Sequence, residues 1–156
     1  MSVFSFFVYG TLRSDCPHQA PWRDDFHVGE VAKYKAIIKG HRLFFSDYPV
    51  ICGTDGVSDV VVGEIVQFPP SMMPLKVKMA DYIEGAPDFY TRVLVDAFVL
   101  DREGSETSNM IQCYTYVREL KAICTKKPIS GGCWVSHNSS TDDKKKKKTG
   151  RIKIIL

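Results

Sequence analysis

No segment of this chain approaches the roughly 18 uninterrupted apolar residues that a membrane-spanning helix requires. Paired cysteine spacing is missing too: Cys16, Cys52, Cys113, Cys124 and Cys133 are odd in number and contain no CxxC. That pattern suggests neither a disulfide framework nor a zinc site. His18, His27, His41 and His137 lie far apart, with no HxxxH and no Cys/His cluster, so no metal ligand set is apparent. No internal repeat and no triad signature for a Ser or Cys nucleophile stands out. The apolar opening, Met1 to Tyr9, lacks a basic leader before it and a small-residue cleavage pattern after it. It reads as a buried strand, and the cysteine usage fits a reduced, cytoplasmic setting.

What is present is 156 residues, 44% hydrophobic and 25% charged, a composition and size suited to one soluble domain. The formal net charge of +3 is unevenly distributed. Residues 141–156 hold Lys144 to Lys148, Arg151 and Lys153 against Asp142 and Asp143, so the other 140 residues sum to −2. The body is mildly acidic and the basicity sits in a tail. From residue 139 onward the sequence is polar and then charged, and it cannot bury enough apolar area to order itself. The expected organisation is a domain over 1–138 and a Lys-rich disordered tail over 139–156.

Along the domain, β-rich stretches are expected at residues 3–9, Val28–Ile38, Arg42–Phe45 and Val57–Phe68. They are separated by Gly10-Thr11, Gly40, Tyr48-Pro49 and Gly53-Thr54-Asp55-Gly56. Ser71 to Ile83 has the clearest helical spacing, with Leu75, Met79 and Tyr82 or Ile83 recurring every three to four residues. Pro74 belongs in its first turn and Gly85 supplies a stop. Phe89–Leu100 alternates Val93, Val95, Ala97 and Val99 with Arg92, Leu94, Asp96 and Phe98, and a polar loop returns it through Met110–Val117 as a hairpin. Many strands with one dominant helix point to an α+β fold, a small, mostly antiparallel β-barrel with flanking helices, since closure removes exposed edges.

Three pieces then stand out together. They are Phe7-Val8-Tyr9-Gly10-Thr11-Leu12-Arg13 after the first strand, Asp81-Tyr82-Ile83-Glu84-Gly85 at the helix end, and Tyr90-Thr91-Arg92 opening the next strand. In this order they resemble the γ-glutamylcyclotransferase-like superfamily, specifically the branch with γ-glutamylamine cyclotransferases and plant avirulence-induced-gene-like proteins. Tyr48-Pro49-Val50, Gly63-Glu64-Ile65 and Ile129 to Trp134 add to the resemblance, which covers roughly residues 4 to 134. It implies a barrel with a pocket formed by the Tyr-Gly-Thr-Leu loop and the Glu of the Glu-Gly pair. It also implies release of 5-oxoproline from γ-glutamyl compounds without metal or cofactor. Two departures are visible: Ala80-Asp81 replaces the family's Leu-Asp, and Gly132-Cys133-Trp134 replaces its Gly-Asp-Trp.

The residues suit that chemistry. The substrate's own α-amine attacks its γ-carbonyl, so the nucleophile arrives tethered and the protein needs none of its own. A base, oxyanion donors and an acid for the leaving amine remain to be supplied. Glu84 is the candidate acid/base, because a helix C-terminus and partial burial both work to raise a carboxyl pKa. Gly10, Thr11 and Leu12 offer backbone N–H groups as an anion nest. Tyr9 and Tyr90 are expected to line the pocket. Arg92 reads as a structural partner of Asp81, which could instead stand as a second carboxylate beside Glu84.

The alternative is a non-enzymatic small-molecule or protein-binding module on the same fold. A further one is polyanion association through Lys144–Lys148, against which the absence of interleaved aromatics counts. The expected partner is a small γ-glutamyl substrate, with no membrane and no nucleic acid, bound to a monomer.

Overall fold

The computed structural model describes residues 2–10, 12–16, 22–46, 48–54, 56, 58–118, 128–133 and 135. The Lys-rich tail, Thr11 and Trp134 lie outside the described residues.

Strand β1 (Ser5–Val8) is buried at every position, because both of its faces are covered. Phe7 points into one apolar cluster with Ala36, Ile38, Val61, Ile65, Val95, Ala97 and Cys113, which is the barrel interior. Phe6 and Val8 point the opposite way, into a second cluster with Phe26, Val66, Phe68, Met73 and Ala80. Burying each such Phe contributes about 2–3 kcal/mol. This explains why the opening run is continuously apolar and not alternating.

The barrel closes in the order β1-β5-β2-β6-β7, with β2 at Ala32–Lys39, β5 at Val60–Gln67, β6 at Thr91–Leu100 and β7 at Glu106–Val117. Four of the five pairings are antiparallel, and β1 meets β7 in parallel at Phe6↔Tyr114. The pairs Val8↔Glu64, Lys39↔Val60 and Thr91↔Val117 bring the C-terminal ends of β1, β2 and β7 to the same rim as the N-terminal ends of β5 and β6. A separate hairpin, β3 (His41–Ser46) with β4 (Tyr48–Gly53), connects β2 to β5.

Two elements depart from the sequence-based expectation. Tyr48-Pro49 was expected to separate strands but lies within β4, where Pro49 opposes Phe45 in a two-stranded hairpin. An edge position asks no amide of proline. The second is β2, which begins at Ala32 instead of Val28; ahead of it, residues Arg23–His27 form a short helix, α1.

Helix α2 (Met73–Glu84) follows a 3-10 turn at Pro70–Met72. Its expected period is present, but its phase is rotated. Leu75 is 60% exposed and Tyr82 89% exposed, while the buried stripe is Met73, Lys76, Ala80 and Glu84. The apolar-spacing rule cannot find a stripe that contains a lysine and a glutamate. Lys76 Nζ donates to the carbonyls of Asp25 at 3.0 Å and Phe26 at 2.8 Å, and it sits 4.9 Å from the Phe68 ring centre. It therefore caps the C-terminal carbonyls of α1 from a neighbouring helix, joining the Val28 amide at that of Asp25. Burial holds its pKa below the ordinary lysine value.

Candidate active site

Glu84 is the last residue of α2 and 1% exposed. Gly85 ends the helix with φ of +64°, a conformation that glycine adopts without penalty. The Ala86 amide then donates to Asp81 at 2.9 Å and the Phe89 amide to Gly85 at 2.8 Å, turning the chain sharply into β6. That turn keeps Glu84 inward and brings Tyr90 alongside. Asp81, one helical turn earlier, is engaged elsewhere: its carboxylate accepts from the Tyr116 hydroxyl and pairs with Arg92 at 2.8 Å. The expected Asp81–Arg92 ion pair is thus present.

Three fully buried tyrosines surround this point. The Tyr9 hydroxyl donates to the Tyr116 carbonyl at 2.8 Å, and the Tyr90 hydroxyl to the Pro49 carbonyl at 3.3 Å. Burial first, then the fields of Tyr90 and Glu84, hold the Tyr9 phenol well above its ordinary pKa. Tyr116 is pushed up likewise, by burial, then by its hydrogen bond and charge interaction with Asp81, with a further contribution from Glu84. These phenols are neutral donors, not bases. Glu84, Tyr9 and Tyr90, separated by up to 81 positions in sequence, share one electrostatic environment.

The loop after β1 closes the site. The Arg13 amide donates to the Gly10 carbonyl at 3.1 Å, and among the described residues no backbone carbonyl takes the Leu12 amide. Every side of this turn is held. His27 Nε2 donates to the Leu12 carbonyl at 2.7 Å, while its Nδ1 faces Glu30 at 2.6 Å. Glu64, 5% exposed on β5, accepts from the Ser14 amide at 3.1 Å and the Ser14 hydroxyl at 2.6 Å. Arg13, 3% exposed, forms a two-pronged pair with Asp15 at 2.8 and 2.6 Å and reaches the Val62 carbonyl at 3.3 Å and Cys133 Sγ at 3.4 Å. The residue standing in place of the family's Asp therefore ties the late segment to the loop through a thiol. Its neighbour Gly132 has φ of +63°, and a Cβ there would meet the Val60 carbonyl oxygen at 2.1 Å, so this close docking requires glycine.

Glu64, His27 and Tyr116 were not singled out as site residues from sequence. Glu64 did carry a signal, an acid inside the apolar run Val60 to Val66. His27 and Tyr116 carried none, because their roles depend on partners 15 and 35 positions away.

The loop clamp has a pH signature. Burial works to raise the Asp15 pKa, but the Arg13 hydrogen bonds and charge outweigh it and hold the carboxyl below its usual value. A depressed pKa means that its stabilisation is fully present above about pH 4 and is lost as pH falls through the lowered value. Asp15→Asn is expected to cost about 1 kcal/mol at pH 7 and to flatten the acid limb of stability, measured by urea unfolding from pH 7 to pH 3. An acid limb unchanged from wild type would assign that limb to other carboxylates.

The class of fold is a small closed barrel whose rim carries the buried carboxylates Glu84 and Glu64, buried tyrosines and a clamped glycine turn. The chain belongs to the family described as gamma-glutamyl cyclotransferase, AIG2-like, whose model matches residues 6–136. No curated protein matches it. Among solved structures, YkqA from Bacillus subtilis superposes with a TM-score of 0.65 at 20% identity, over 92% of this chain and 44% of its own. This chain thus spans under half the length of YkqA. An AIG2-like protein from Mus musculus gives 0.58 at 23% identity, over 76% of this chain and 78% of its own. A γ-glutamyl cyclotransferase from yeast, specific to glutathione, gives 0.53 at 11% identity, over 82% and 72%. These likenesses establish the shared fold.

Proposed function

We propose that this protein is a γ-glutamylcyclotransferase that converts the γ-glutamyl group of a γ-glutamyl amine or small peptide to 5-oxoproline and releases the amine. In this reading it works as a cytoplasmic monomer without metal or cofactor. The observation that carries the reading is the burial of Glu84 against Tyr9 and Tyr90, at the rim where the Gly10–Arg13 turn is clamped.

Glu84 takes one proton from the substrate's α-ammonium, freeing the amine to attack the γ-carbonyl. The new C–N bond closes a five-membered ring, and the carbonyl oxygen gains negative charge. Backbone amides at Gly10 and Leu12 stabilise this oxyanion, and the Arg13–Gly10 and His27–Leu12 hydrogen bonds hold these two residues in place as the charge develops. Glu84 returns its proton to the leaving nitrogen as the old C–N bond breaks. The second proton, shed by the ring nitrogen, also ends on the leaving amine, so the products are 5-oxoproline and an ammonium. Tyr9, its phenol kept neutral, shapes the pocket and supplies no base.

The test is a panel of γ-glutamyl-amino acids, ε-(γ-glutamyl)-lysine and glutathione, assayed for 5-oxoproline by mass spectrometry. Glutathione belongs in it because the yeast neighbour is described as specific for it. Turnover of at least one member is expected. Silence across the panel, with binding of any member by calorimetry, would favour a binding module instead.

A further inference from the structure

The cations near this rim have acceptors. Arg13 pairs with Asp15 at 2.6 Å, Arg42 with Asp59 at 2.8 Å and Arg92 with Asp81 at 2.8 Å, while Lys76 holds two backbone carbonyls. Arg118 differs. It follows directly on β7, half-buried, and its amide donates to the Ile51 carbonyl at 3.0 Å, which fixes the chain at that point. Its guanidinium lies 4.3 Å from the centre of the Phe89 ring and 5.9 Å from that of Tyr90, and among the described residues no carboxylate pairs with it.

A guanidinium laid on an aromatic face is held by cation–π attraction while its N–H edge stays open. That edge is a planar fork of donors matched to a carboxylate. The ring beneath it belongs to the site: Tyr90 is fully buried, hydrogen-bonded to Pro49, and coupled electrostatically to Tyr9, which is coupled in turn to Glu84. Arg118 therefore stands two aromatic rings, Tyr90 and Tyr9, away from the candidate acid/base. Any γ-glutamyl compound brings an α-carboxylate, and γ-glutamyl amino acids and peptides bring a second one on the leaving side.

We propose that Arg118 is a specificity-determining residue that recognises a substrate carboxylate from the aromatic shelf of Phe89 and Tyr90. The inference rests on the cyclotransferase reading and adds the group that orients the substrate. A charge-assisted, two-pronged contact of this kind sets a preference of about ten- to hundredfold for a carboxylate over its neutral amide.

The test uses γ-glutamyl-alanine, its C-terminal amide and its α-carboxamide, with wild type, Arg118→Met and Arg118→Lys. For γ-glutamyl-alanine, Arg118→Met is expected to raise KM about ten- to hundredfold with little change in kcat, and Arg118→Lys, which keeps charge but not the fork, to fall between. For one of the two amides the penalty of the substitution disappears, and which one identifies the carboxylate. If the methionine variant fails to fold, the lysine variant carries the same comparison. An equal loss on all three substrates, or no loss on the parent, overturns the assignment while leaving the activity standing. No cyclised product with wild type from these three substrates, 5-oxoproline or, from the α-carboxamide, 5-oxoprolinamide, together with silence across the wider γ-glutamyl panel, overturns the activity, and the assignment with it.

Discussion

Glu84→Gln is expected to lower kcat/KM for 5-oxoproline release by about a hundred- to ten-thousandfold, the range that a positioned general acid/base contributes. The amide has the size of the carboxyl and the same planar shape, so the buried site at the end of α2 keeps its packing. What it loses is the capacity to accept a proton from the α-ammonium and return it to the leaving amine. The comparison needs turnover, KM and thermal melting on the same preparations. A melting temperature near wild type with kcat collapsed is the expected pair of results. Turnover within a few-fold of wild type would assign the proton transfers to another group, even with the cyclisation itself demonstrated.

Lys76→Ala is expected to produce the largest loss of stability, about 2–4 kcal/mol, from a lost charge-assisted hydrogen bond and a vacated buried stem. Two costs add. The Phe26 carbonyl, now served at 2.8 Å, loses its donor inside the fold, and the Asp25 carbonyl, now served at 3.0 Å, keeps only the Val28 amide at 3.4 Å. The aliphatic stem also leaves a void against Phe26 and Phe68. For a domain of this size the melting temperature would fall by roughly 10 °C. Lys76→Met refills the stem without restoring the donors and is expected to recover part of the loss. Full recovery by methionine would show that packing alone, and not the cap on α1, is the contribution of Lys76. Because α1 carries His27, which bonds the Leu12 carbonyl, the alanine variant is also expected to loosen the turn at the site.

The two predictions draw on different parts of the chain's legibility. Glu84 was legible as a candidate because it stands in a motif, a carboxylate before a helix-stopping glycine and downstream of the Tyr-Gly-Thr-Leu loop, that carries the family resemblance, and the fold buries it. Lys76 was not, because sequence periodicity ranks residues by hydropathy. Here the buried stripe includes Lys76 and Glu84 while Leu75 and Tyr82 face outward. The second strand of the β3–β4 hairpin was obscured similarly, since Pro49 marks a break unless its amide lies where no partner is needed. Short helix α1 has five residues and an Arg-Asp-Asp-Phe-His sequence. It is below the length at which local propensity stabilises a helix, and it exists by packing Phe26 and by the cap from Lys76.

The sequence by itself determined the barrel class, the strand alternation of β6 and β7, the helix that ends at Glu84, and the glycine turn after β1. Each of these follows from spacing and backbone chemistry within a dozen or so residues. The tertiary structure alone decided which face of α2 is buried and that Glu64, Arg13, Cys133 and His27 converge on one loop. It also decided that Glu84 is buried within the electrostatic reach of Tyr9 and Tyr116. Those relations join positions up to 120 residues apart. They depend on barrel closure, which sets strand ends beside one another through backbone hydrogen bonds whose register no short window of sequence contains.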